Sequence, residues 1–256
     1  MRALDSLVAS TTPFFPVEPT LDEVVARVGG VRVTAEVKSP GFDNADYLFR
    51  EAGVVAELKV LELDRSKDKN TQTKVQKLYD TWIRTREPVP LIFGKARLST
   101  GDLPAKQAWQ LVNVFREPVR QALKKANKQI KETKEHLGLP DAKGLVLLVN
   151  ESNVALEPGP MAQMIWQILD SQRLSGIASL VYLTINLHAS APWTPVKTRL
   201  WVVMERSETD GVSEAFLDKM HKALVAHLTL PGEYTDVYSM TDPEAMFQMK
   251  HAKRDI

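Results

Sequence analysis

The sequence contains no cysteine. That absence removes disulfides, zinc ribbons, iron–sulfur clusters and thiolate nucleophiles together. No apolar run approaches the roughly 18 residues of a membrane-spanning helix. The opening stretch, MRALDSLVASTTPFFPVEPT, lacks the apolar core of a secretory leader and is interrupted by Asp5. An excess of one charge is missing too. The 33 Lys and Arg balance 32 Asp and Glu for a net charge of +1, so no global basic field advertises nucleic acid. There is no glycine-rich dinucleotide fingerprint, no pair of metal-binding histidines and no nucleophile elbow, and GKARLSTG (94–101) lacks P-loop spacing. A cytoplasmic protein with no membrane partner is the expectation.

What remains is an ordinary globular composition, 44% hydrophobic and 25% charged over 256 residues, which can bury one large core. PTLDEVVARVGG predicts a helix over 21–28, with Thr20 before it and a Gly-Gly stop. VRVTAEVKS alternates and is β-branched, predicting a strand over 31–37. ADYLFREAGVVAELKVLEL predicts strands over 46–50 and 54–63 around a tight turn at Glu51-Ala52-Gly53. A basic helix over 71–85 follows, then a short strand at PLIFG. The longest helical pattern runs from Leu103 to Gly138, with a kink or a division into two helices expected at Pro118. GLVLLVNES is a continuous apolar run, the pattern of a central buried strand. PMAQMIWQILDSQR, IASLVYLTINL, KTRLWVVMER and SEAFLDKMHKALVAHL read as helix, strand, strand and helix. Such an order predicts one α/β domain over 1–256, a central mixed sheet flanked by helices.

Although the total charge is near zero, its distribution is uneven. Between Arg65 and Arg86, seven Lys or Arg face Asp68 and Asp80; between Arg116 and His136, seven face Glu117, Glu132 and Glu135. Each stretch is either a solvated helix face or a phosphate-binding surface.

The strand GVVAELKVLE carries Glu57 and Lys59 two positions apart, hence on one face. Asp46 opens the preceding strand and can come level with them across the hairpin. Two close carboxylates hold either a proton or a cation. With oxygen ligands and no cysteine, that cation is Mg²⁺ or Mn²⁺, and Lys59 is placed to position a water or stabilise charge on a phosphate oxygen. The alternative reading is an ion pair between Glu57 and Lys59 that needs no metal.

The stretch ADYLFREAGVVAELK resembles the PD-(D/E)XK nuclease superfamily, the restriction-endonuclease-like fold. That signature has an Asp at one strand and Glu-x-Lys in the next, matching Asp46, Glu57 and Lys59; Ala45 stands where a Pro often precedes the Asp. The resemblance implies a nuclease-like core over 19–150, with 64–103 as a helical insertion and 151–256 as a C-terminal α/β extension of the same sheet. It implies metal-dependent cleavage of nucleic acid, DNA in the first instance, with Asp46, Glu57 and the Leu58 carbonyl around Mg²⁺ or Mn²⁺. Glu23 is the candidate for an acidic residue on the preceding helix, and Gln129, four residues from Lys125, for a polar residue on the helix after the motif. Asp43 is a rival to Asp46, and family spacing favours Asp46. Members commonly act as dimers, so a homodimer is a further expectation. The alternative is a non-catalytic nucleic-acid-binding or protein-interaction module on the same fold. Glu36, His188 and Trp193 are read as surface or packing residues.

Overall fold

The computed structural model describes residues 13–37, 41–88, 103–171, 173–207, 210–229 and 243–252. The expected strand at PLIFG and most of the tail after Pro231 lie outside these residues. Among the described residues no helix is long and apolar enough to cross a membrane.

Helix α1 (Val17–Arg27) leads to strands β1 (Val31–Arg32), β2 (Tyr47–Phe49) and β3 (Val54–Leu61), with a helical turn α2 (Val33–Glu36) after β1. A 3-10 turn (Arg65–Lys67) opens onto α3 (Lys69–Arg84), and α4 (Ala105–His136) precedes β4 (Lys143–Asn150). Helix α5 (Pro158–Ser171) connects to β5 (Ser179–Leu183); β6 (Ala189–Ala191), β7 (Thr194–Thr198) and β8 (Trp201–Glu205) follow, then α6 (Glu214–Leu228) and β9 (Lys250–His251). Six strands form one mixed sheet in the order β1-β2-β3-β4-β5-β8. The pairs β3–β4 and β4–β5 are parallel, the first joined through α3 and α4 and the second through α5; β1–β2, β2–β3 and β5–β8 are antiparallel. A small second sheet, β7-β6-β9, is separate in its hydrogen bonding and packs Ala189 and Ala191 onto the same core.

Alternation along the strands gives the sheet two apolar faces. Val55, Val146, Leu148, Leu180 and Tyr182 face α4 and α5. Tyr47, Phe49, Val54, Ala56, Leu58, Leu145 and Leu147 face α1 and α6. The stripe that seats α4 is Leu111, Phe115, Val119, Leu123, Ala126, Ile130 and Thr133, all buried at three- and four-residue spacing. At the start of β4 the helix comes so near that Gly144 lies against Ile130 and the Gly176 carbonyl; a Cβ there would overlap both. We expect Gly144→Ala to cost about 1–3 kcal/mol, read as a lower urea midpoint at unchanged slope.

Two expected elements differ. The strand over 31–37 is two residues of strand followed by a helical turn, because β2 offers it only Tyr47 and Leu48 as partners. The division into two helices expected as one outcome at Pro118 does not occur: α4 continues through that residue as one helix. The hydrogen bond that proline removes is offset by the buried Phe115 and Val119 on either side of it.

Candidate active site

Strand β2 pairs only Tyr47–Phe49 with Val54–Ala56, while β3 runs on to Leu61 with β4 on its other side. The edge of β3 beyond Ala56 is therefore left without a strand partner from β2, and the motif residues stand there. Tyr47 is opposite Ala56, so one further step of the register sets Asp46 across from Glu57. Asp46 also closes the ladder: its Oδ2 accepts the Leu58 N–H at 2.8 Å. In a strand the N–H and C=O of one residue point to the same side, so the Leu58 carbonyl is turned toward Asp46 as well. The odd-numbered side chains of β3 face α4, which puts Glu57 and Lys59 beneath that helix.

Glu57 is 1% exposed. Its Oε1 accepts a hydrogen bond from Lys59 Nζ, while Oε2 is buried with no hydrogen-bond partner. Burial pushes its carboxyl up to about 7, the charge of Asp46 adds to the rise, and the Lys59 ammonium works in the opposite sense. Lys59 Nζ donates a second hydrogen bond, 2.8 Å, to Gln129 Oε1 on α4. The Lys59 side chain is 17% exposed and Asp46 is half-buried. Access from solvent therefore runs past Asp46 and Lys59 to a carboxylate that is itself closed off.

The loop that delivers Asp46 is pinned to α4 residue by residue. The Phe42 ring lies 4.3 Å from that of His136, and Asp43 pairs with Lys128 at 3.4 Å. Gln129 Nε2 donates to the Asn44 carbonyl at 2.9 Å, and the Ala45 N–H donates to Thr133 Oγ1 at 2.7 Å. Residues 128, 129, 133 and 136 recur at helical spacing, so one face of α4 holds the loop while Gln129 also reaches Lys59. Asp43, engaged outward with Lys128, is placed as a loop anchor rather than as the second carboxylate.

The structure thus brings Asp46, Glu57, Lys59, the Leu58 backbone and Gln129 together. Glu23 is not among them: it is exposed on α1, and α1 covers the opposite face of the sheet through Leu21, Val24, Val25 and Val28. This corrects the expectation for Glu23, which rested on its place in the chain; the apolar stripe of α1 decides which face the helix takes. Lys125 is exposed on α4, outside this hydrogen-bonded set. Glu36 forms a surface pair with Arg50 at 2.7 Å. Thr133 and the Asn44 carbonyl carry no motif that sequence reasoning could use; the one signal for Thr133 is its position four residues after Gln129.

Comparison of the chain with protein-family models, with curated proteins and with solved structures finds no match. The chemistry of the site rests on its own geometry.

Among the described residues there is no group of three or more His, Asp or Glu side chains that could hold a metal ion. The candidate centre has two carboxylates, and a third protein oxygen would come from the Leu58 backbone. A small divalent cation keeps several waters and needs only one or two carboxylates. The unpartnered buried Oε2 of Glu57 is the feature that fits such an ion: an acceptor with no hydrogen-bond donor, held beside a second carboxylate.

Proposed function

We propose that this protein is a metal-dependent nuclease that hydrolyses phosphodiester bonds, with DNA as the first substrate to test. The observation that carries the reading is the buried, partly unsatisfied Glu57 set across from Asp46, with Lys59 hydrogen-bonded beside it. The element order α1, β1, β2, β3, then α4 and β4, with α3 between them, supports the resemblance to the PD-(D/E)XK superfamily and a restriction-endonuclease-like core. Asp46, Glu57 and the Leu58 carbonyl would hold Mg²⁺ or Mn²⁺; such an ion supplies charge on the phosphate and makes a bound water more acidic. Lys59 stabilises negative charge growing on the phosphate oxygens, and Gln129 fixes the orientation of its ammonium.

The deciding experiment incubates supercoiled plasmid, single-stranded DNA and RNA with the protein and Mg²⁺ or Mn²⁺. Cleavage that stops with EDTA and in Asp46→Asn is expected. The asparagine retains an oxygen to accept the Leu58 N–H but not the charge, so a folded, inactive variant isolates the chemistry. Metal-dependent cleavage that persists undiminished in Asp46→Asn would remove the site from the reaction. Nucleic-acid binding without cleavage under any metal would favour the non-catalytic module.

A further inference from the structure

The basic stretches of the two long helices are not equivalent. On α4, Arg120 holds Glu117 at 2.6 Å, and Lys128 lies 3.4 Å from Asp43 and 3.6 Å from Glu132. Two of the seven basic residues of that stretch are thereby paired within the protein, and Arg116 donates to Ser171 Oγ at 3.3 Å, while Lys124, Lys125 and Lys131 stay exposed. On α3, Lys69, Lys74, Lys77 and Arg84 are exposed, and none of them is in an ion pair among the described residues. Lys69, Lys77 and Arg84 fall within an arc of about 80° of the helix circumference, opposite the buried Thr71 and Trp82 that seat the helix. They span about 22 Å along the axis, the rise of roughly six base pairs. Between them lie Gln72, Thr73 and Gln76, which with Lys69 and Lys77 line a shallow polar groove of about 460 Å³. The exposed side offers one large apolar residue, Ile83, 53% exposed, so it has no apolar face to bury in a lipid surface. The one carboxylate of the helix, Asp80, lies on the same stripe and accepts from Gln76 Nε2. A 3-10 turn connects α3 to β3, the strand that carries Glu57 and Lys59.

We propose that the exposed face of α3 is a docking surface for the sugar–phosphate backbone of duplex nucleic acid, gripped by Lys69, Lys77 and Arg84 without reading sequence. Cations flanking hydroxyl and amide donors are the groups that contact phosphate oxygens. The identity of the polyanion rests on the nuclease reading; the surface itself does not.

The test is fluorescence anisotropy with a labelled DNA duplex in EDTA, which stops metal-dependent cleavage, across a salt series. Lys69→Ala/Lys77→Ala/Arg84→Ala keeps helix propensity and is expected to weaken binding tenfold or more. It should also lower the slope of log K against log salt by about 2.7, which is about 0.9 for each of the three phosphates no longer neutralised. Asp80→Asn is expected to tighten binding, an effect that a purely structural role for α3 does not produce. Wild-type affinity and slope in the triple variant, or no duplex binding by the wild type, overturns the proposal. So does a wild type that binds phosphatidylserine vesicles through these residues and ignores DNA. The two readings separate cleanly. Cleavage that is lost in Asp46→Asn but untouched in the α3 variant sinks the docking surface alone. Salt-sensitive binding through α3 with no cleavage by any form sinks the nuclease alone.

Discussion

Glu57→Gln is expected to make the protein more stable at pH 8 and blind to divalent metal. In the folded protein the Glu57 carboxyl titrates near 7, against 4.5 for an unperturbed one. Below 4.5 both folded and unfolded chains carry the proton. As pH rises from 4.5 to about 7, the unfolded chain releases it first and the folded state loses relative stability. Above 7 the loss is complete and constant, about 3 kcal/mol at 1.36 kcal/mol per pKa unit. Glutamine has nothing to titrate, so the advantage of the variant opens across that window and holds above it. For a chain of this size that is a rise in melting temperature on the order of 5–10 °C. Added Mg²⁺ or Mn²⁺ is expected to raise the melting temperature of the wild type and not of the variant, because a ligand stabilises only the state that binds it. The opposite outcome is well defined. A variant less stable by about 3–5 kcal/mol, at every pH above 5, identifies Glu57–Lys59 as a buried structural ion pair whose loss strands an ammonium. Thermal melts at four pH values, with and without metal, decide between the two.

The acid–lysine pair on one face of β3 was readable because strand periodicity is strict: positions 57 and 59 must share a face once β3 is a strand. Asp46 was readable because a tight hairpin fixes register, and Gly53 at φ +61° supplies the turn. Gln129 followed from helical spacing on an element that precedes a buried strand. The failures share one cause, which is that an element's own sequence does not say what lies across from it. Nothing inside α1 shows that its stripe covers Tyr47 and Phe49 rather than Val55 and Glu57. The alternation of Val31–Val37 promises a longer strand than its three-residue neighbour β2 can pair. The anchoring of the loop by Thr133 and His136 joins segments some ninety residues apart and leaves no local trace. Strands β6, β7 and β9 are short, and β9 joins β6 from the far end of the chain.

If Lys59 acts on the phosphate, Lys59→Met should lower cleavage by about 10²–10³-fold. The methionine keeps an unbranched apolar stem of similar reach and removes the ammonium. An interaction made only as charge grows in the transition state affects kcat and leaves KM alone, so the loss is expected entirely in kcat. Duplex affinity in EDTA should stay at the wild-type value, because the residue lies 17% exposed beside Glu57 and away from the exposed face of α3. Removing the ammonium also deletes the group that holds the Glu57 pKa down. The carboxyl then rises further, and half-maximal metal binding is expected at higher pH than in the wild type. Gln129→Ala gives the contrast. It leaves the Lys59–Glu57 pair but frees Nζ from its 2.8 Å partner and frees the Asn44 carbonyl, so both Lys59 and the loop before Asp46 lose their tether. A smaller loss, spread over kcat and metal affinity, is the signature of that positioning role. Should Lys59→Met cleave at the wild-type rate per folded molecule, the ammonium serves only to neutralise Glu57, and the phosphate must find its positive charge elsewhere.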